Sequence, residues 1–211
     1  MRPRTAGVTL AAPFVLLAAA CGSQAPAEFH PAGSAVTAGP PPSAAPAALA
    51  PFPGKVTFDF GPLPADPQQS AVVTADRDFV LAYYYAIYTR GRDKSYASYI
   101  GDKGVLRTVQ SAILAHVAAH QGLTGVDRRF STTVTPNPYY PGELNVTYCV
   151  DEAALQYTDI TTGRVLGNGS APGQLYYLES DTFAKASHGT WRLVGILTTP
   201  YPTGPARECK P

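Results

Sequence analysis

Residues 104–134 read GVLRTVQSAILAHVAAHQGLTGVDRRFSTTV, and the hydrophobic period changes part-way along them. Up to His120, Leu106, Val109, Ile113 and Val117 recur at three- and four-residue spacing. That stripe predicts an amphipathic helix over about 104–120, stopping at Gly122. Beyond Gly122 the period falls to two, and Phe130, Thr132 and Val134 alternate as one strand. Helix first and strands afterwards predict an α+β domain, its helices laid on one face of a bent antiparallel sheet.

The same two periods extend outward. Leu144, Val146, Tyr148 and Val150 alternate in a second strand, with Asn145, Thr147, Cys149 and Asp151 on its other face. Pro136, Pro138, Pro141 and Gly142 punctuate the connection between the two strands. Further strands are expected over 155–160, 175–186 and 191–198, with a glycine-rich loop over 163–173 and a tight turn at His188-Gly189. The count is four to five strands, the short alternating stretch Val56–Phe60 being separate. Towards the N-terminus, Asp66-Pro67-Gln68-Gln69 has the form of a helix start, with Asp at the cap and Pro in the first turn. That helix runs to about Arg90 and places Val72, Phe79, Tyr83, Ala86 and Ile87 on one face. Asp76 lies near the same face. Either the helix begins there with Asp76 as its cap, which is the preferred reading, or a carboxylate points inward. Ser95 is expected to cap a short middle helix over 96–100, giving three N-terminal helices in all.

The first half-hundred residues differ in kind. Arg2 and Arg4 precede an uncharged apolar run from Val8 to Ala20, shorter than the roughly 20 apolar residues that span a bilayer. This is read as an export signal over 1–20. The run Leu16-Leu17-Ala18-Ala19-Ala20 ahead of Cys21 resembles the bacterial lipobox. The resemblance implies a diacylglyceryl group on Cys21 and anchoring to the outer face of the cell membrane. Ala18 stands where that motif usually carries Leu, and Ala18-x-Ala20 also suits ordinary signal peptidase, which would leave a secreted chain with an unlipidated Cys21. Residues 21–52, dominated by Ala, Pro, Gly and Ser, are read as a disordered tether, and 53–211 as the folded domain. Net charge is +1, with 16 basic and 15 acidic residues and no basic stripe, so nothing points to nucleic acid.

A long helix, a short helix and a third helix, followed by a meander ending in a TWRL strand (Thr190–Leu193), resemble the nuclear transport factor 2-like (NTF2-like) superfamily. That superfamily includes the ketosteroid isomerases and the SnoaL-like polyketide cyclases. The segment VTYCVDEAAL, Val146 to Leu155, is similar to uncharacterised secreted proteins of high-GC Gram-positive bacteria. The resemblance covers about residues 66–200. It implies a cone with a cavity between the helices and the concave sheet face, where a Tyr donates a hydrogen bond and an Asp or His moves a proton.

If Cys21 carries lipid, Cys149 and Cys209 remain as an even pair in an oxidising compartment, which predicts a disulfide. The alternatives are two free thiols or pairing between chains. His116 and His120 are spaced i, i+4 on one helix face, as metal sites require. No H-E-x-x-H motif and no third ligand accompany them, so the reading is pocket-edge packing or C-terminal capping, with no metal and no cofactor. No G-x-S-x-G, P-loop or G-x-G-x-x-G motif is present. The candidate cavity residues are Tyr83, Asp76, His116 and His120, with Asp151 and Glu179 as further carboxylates within reach and no catalytic residue assigned. The preferred function is a non-catalytic module of the cell envelope that binds a protein or a small hydrophobic ligand. The alternative is an isomerase, cyclase or dehydratase acting in the cone. A carboxylate or His buried at the cavity floor beside a Tyr hydroxyl is the feature that favours the enzyme.

Overall fold

The computed structural model describes residues 55–168 and 175–210. The export signal, Cys21, the tether and part of the glycine-rich loop lie outside the described residues.

Strand β1 (Val56–Asp59) leads into helix α1 (Pro67–Tyr88). Asp66 caps α1, accepting a hydrogen bond from the Gln69 N–H at 2.8 Å, with Pro67 in the first turn. Asp76 therefore sits well inside α1 and is 2% exposed. The reading of Asp76 as a cap is corrected, and its carboxylate points inward. A five-residue 3₁₀ turn (Ser95–Tyr99) follows, with no side-chain cap. Ser95 lies inside that turn and donates its hydroxyl to Asp93. The described domain thus has two α-helices and one 3₁₀ turn in place of the three helices expected before the sheet.

Helix α2 (Lys103–Ala118) is capped by Asp102, which accepts from Gly104 N–H at 2.7 Å and Val105 N–H at 2.9 Å. It ends ahead of Gly122, because His120 takes a left-handed backbone (φ 53°). Strand β2 (Gln121–Pro136) begins at once and runs sixteen residues, so Gly122 belongs to the sheet. Strands β3 (Leu144–Asp151), β4 (Leu155–Asp159), β5 (Val165–Gly167), β6 (Tyr176–Lys185) and β7 (Trp191–Pro200) complete a seven-stranded sheet in the order β5-β4-β2-β3-β6-β7.

β2 is the spine of the sheet. Its first residues pair with β4 and its later ones with β3, across an irregularity between Phe130 and Thr133 that bends the strand. β1 adds in parallel alongside Gly125–Arg128. Gly125 has φ 105°, and a Cβ there would lie 1.9 Å from the Ala154 carbonyl oxygen, so only glycine fits this junction. All other pairings are antiparallel, and α1 and α2 cover the concave side of the curled sheet. Val72, Val73, Val80 and Ile113 from the helices meet Val146, Val150, Leu155, Phe183 and Leu193 from the sheet in one buried core. The last segment, a 3₁₀ turn over Gly204–Cys209, is fastened back onto β3 by the Cys149–Cys209 disulfide, with Cα atoms 5.0 Å apart, as the cysteine count anticipated. Among the described residues no helix is long and apolar enough to cross a membrane.

Candidate functional site

A cavity of about 290 Å³ opens between the helices and the concave face of the sheet. Phe79, Val80, Tyr83 and Tyr84 of α1 form one wall, and Val109, Ala112 and His116 of α2 form another. The sheet contributes Arg129 from β2, Tyr157 from β4, Tyr177 and Glu179 from β6, and Glu152 from the β3–β4 connection.

Behind that lining lies a buried polar network centred on Arg129, which is 5% exposed. Its Nε and Nη2 donate to the two oxygens of Asp127 at 3.0 and 3.3 Å, a bidentate pair on a residue with no solvent exposure. Nη1 donates to the Tyr148 hydroxyl at 2.6 Å and lies 3.5 Å from Glu179 Oε1. The strand period explains the convergence. Asp127 and Arg129 are two apart on β2. Tyr177, Glu179 and Asp181 are two apart on β6, and Tyr148 lies directly opposite Glu179 in the β3–β6 ladder.

The Tyr148 hydroxyl meets three carboxylates: Glu179 at 2.9 Å, Asp181 at 3.1 Å and Asp76 at 3.4 Å. One hydroxyl proton serves only one of them. Asp181 Oδ1 is buried with no donor. A proton shared among these crowded carboxyls resolves both facts, since a protonated carboxyl donates where a carboxylate only accepts. Burial pushes Asp76 up to about 6, against the partial relief given by Asp181 and Arg129. Burial, with the charges of Glu179 and Asp76, raises Asp181 well above the ordinary carboxylate range.

Glu152 is a buried carboxylate that lines the cavity. Its backbone is pinned in a tight turn by hydrogen bonds to Leu175 and Leu155. Its Oε1 accepts from the Tyr177 hydroxyl at 2.8 Å and lies 3.4 Å from the Tyr84 hydroxyl, which donates to Asp127 at 2.9 Å. Oε2 makes no hydrogen bond among the described residues. Burial first, and the Asp127 charge second, push Glu152 up to about 7. Two tyrosines, Tyr83 and Tyr157, share the lining with it. Burial raises Tyr83 well above its ordinary value, and Tyr157 is pushed up to about 12, in each case with the Glu152 charge contributing. Neither hydroxyl has a hydrogen-bond partner among the described residues. His116 is fixed on the wall, its ring stacked on Tyr157 at 5.4 Å and its Nδ1 2.8 Å from Gln121 Oε1. With the Gln121 amide oxygen as its partner, Nδ1 is the donor in this contact.

The residues expected from the sequence divide. Tyr83, His116 and Glu179 line the cavity, and Asp76 lies beneath its floor. His120 is exposed at the end of α2 and is corrected out of the cavity set. Asp151 also lies outside it, accepting from the Ala153 N–H in the β3–β4 turn. Arg129, Glu152, Asp127, Asp181, Tyr148 and Tyr177 were not anticipated. Asp76, Asp127, Glu152 and Asp181 are all buried. Among the described residues no group of three His, Cys, Asp or Glu side chains is arranged to hold a metal ion.

No family model matches the chain, and no curated protein matches it. Among solved structures the chain is similar to Aln2 from a Streptomyces species, with 16% identity, TM-score 0.42, and coverage of 66% of this chain and 94% of that one. It is also similar to a protein assigned as a ketosteroid isomerase from Shewanella frigidimarina, with 12% identity, TM-score 0.34, and coverage of 61% and 97%. At such values neither likeness transfers an activity, and the reading of the site rests on its own geometry.

The raised carboxyls fix the sign of the pH dependence of stability. Asp76 and Glu152 titrate higher in the folded chain than at their ordinary values of 3.8 and 4.5. The folded state therefore binds more protons between those limits, and its stability declines as pH rises through 6 to 7. The thermal midpoint is expected to rise on going from about pH 8 to pH 5, each unit of pKa difference corresponding to about 1.4 kcal/mol. Asp76→Asn is expected to flatten that slope. A midpoint that instead falls steadily over the same interval counts against protonated carboxyls at this site.

Proposed function

We propose that the domain is an acid–base enzyme of the NTF2-like cone type, moving a proton on a small carbonyl substrate in an isomerase- or dehydratase-type reaction. The observation that carries this reading is Glu152, a buried carboxyl pushed up to about 7, with one oxygen bare towards a cavity that also presents unengaged tyrosine hydroxyls. The non-catalytic alternative asks for a cavity filled by side chains or lined by apolar groups and tyrosines alone. Here Glu152, Glu179 and Arg129 reach the wall.

In the proposed step Glu152 removes the proton α to a carbonyl, and a hydroxyl of Tyr83 or Tyr157 donates to the oxygen on which negative charge develops. Tyr177 and Tyr84 hold the Glu152 carboxylate in place. Returning the proton from Glu152 to another carbon completes an isomerisation; returning it to a β-hydroxyl, which leaves as water as the carbon–carbon double bond forms, completes a dehydration. The test is exchange of α-protons of cyclic ketones into heavy water, followed by proton NMR. The protein is expected to accelerate exchange over buffer, and the absence of acceleration with both neutral and charged ketones overturns the proposal.

The anchor belongs to the same proposal. We read residues 1–20 as removed on export and Cys21 as the lipid-bearing first residue of a membrane-tethered domain, supported by the sequence ahead of Cys21. Cys21→Ser is expected to move the protein from the membrane fraction to the medium, and unchanged retention contradicts the anchor.

A further inference from the structure

We infer that the cavity takes a positively charged ligand, an organic ammonium or comparably small cation. The inference rests on the acid–base reading of the same site and names its substrate class.

The charge of the wall carries it. Arg129 is the cation in the lining, and its charge is cancelled by the bidentate Asp127 behind it. Its Nη1 is further committed to Tyr148 and Glu179. Three acidic groups, Asp127, Glu152 and Glu179, thus share this one guanidinium, which leaves the site with an excess of acidic side chains. Glu152 and Glu179 each have an oxygen, Oε2, that makes no hydrogen bond among the described residues, and Glu152 is only 7% exposed. Glu152 is raised first by burial and then by the Asp127 charge, with a smaller contribution from Glu179, and Arg129 offsets this only in part. A cation in the cavity is attracted by this acidic excess, whereas an anionic ligand is repelled by it.

The rest of the wall suits the same guest. Phe79, Tyr83, Tyr157 and Tyr177 contribute aromatic rings, whose faces attract cations within about 6 Å of the ring centre. Two carboxylates within an aromatic wall recognise an ammonium group better than a neutral hydrocarbon of the same shape.

The test compares an N,N-dimethyl piperidone cation with its uncharged carbon isostere, a dimethylcyclohexanone with the quaternary carbon in place of nitrogen. Binding of each to the purified domain is measured by calorimetry, and α-proton exchange of each is followed in parallel. The cation is expected to bind about tenfold more tightly than the isostere. Glu152→Gln and, separately, Glu179→Gln are expected to weaken the cation at least about fivefold and leave the isostere nearly unchanged. The second variant keeps the test open should the first fail to fold. Equal or tighter binding of the neutral ketone overturns the inference, and exchange of that ketone by the protein leaves the acid–base reading standing. Failure to bind or exchange either compound overturns both.

Discussion

Arg129→Met destabilises the folded chain by about 3–5 kcal/mol at neutral pH, the range for breaking a buried ion pair by removal of one partner. Met fills much of the volume of the Arg stem, so the loss is electrostatic more than steric. The guanidinium holds both oxygens of Asp127, the Tyr148 hydroxyl and the edge of Glu179. Without it Asp127 remains fully buried and, among the described residues, keeps only the Tyr84 hydroxyl as a side-chain donor. The cost has a pH signature. Losing the cation raises the neighbouring carboxyls further, so the variant recovers part of its stability on acidification as they take up protons. A second change, Asp127→Asn, is expected to restore part of the loss, since the stranded charge is then gone. Urea unfolding of the single and double variants measures both effects. A loss under about 1 kcal/mol, unchanged with pH, contradicts Arg129 as the organising charge of the site.

Glu152→Gln lowers α-proton exchange by about 10²- to 10⁴-fold, the range for removing a general base. The amide oxygen of the substituted side chain still accepts from Tyr177, so the turn and the cavity wall persist. The stability of the variant is expected to equal that of the parent at low pH and to exceed it above pH 7, because a buried carboxylate no longer has to ionise. In the proposed step the parent acts through ionised Glu152, so its exchange rate is expected to climb as pH rises through about 7 and to level above it. Full activity in Glu152→Gln assigns the proton transfer elsewhere.

The architecture was legible because period and capping are local. The change of period after α2, the Asp66-Pro67 start and the alternation of β3 each follow from neighbouring residues alone. The expectation fails at Asp76 through a choice between two correct principles. Asp is a good cap, but Asp66 is a better one, and the hydrophobic face of α1 carries Asp76 inward with it. Strand β2 is longer than its alternation suggests because Gly122, Thr124 and Gly125 imitate a loop, although the Gly125 backbone is required by its close approach to Ala154. Helical spacing groups His120 with His116, but the helix ends first and the backbone of His120 reverses direction.

The buried network was partly readable. Glu152 continues the inward phase of Val146, Tyr148 and Val150, and Asp181 shares the phase of Phe183. Charged residues in phase with a core face were the available signal. What alternation does not provide is the meeting of β2, β3 and β6 with α1, since cross-strand register depends on the bend in β2 and on the turn lengths between strands. No local pattern places Arg129 beside Glu179, fifty residues away.

Burial pushes the Glu152 carboxyl up to about 7, so that it exchanges its proton in neutral water. Carbon NMR of the side-chain carboxyl groups in a glutamate-labelled domain, recorded across pH and assigned by the signal missing from Glu152→Gln, follows that proton directly. A Glu152 midpoint near 7 is the expected result; a midpoint at the ordinary glutamate value of 4.5 contradicts the account.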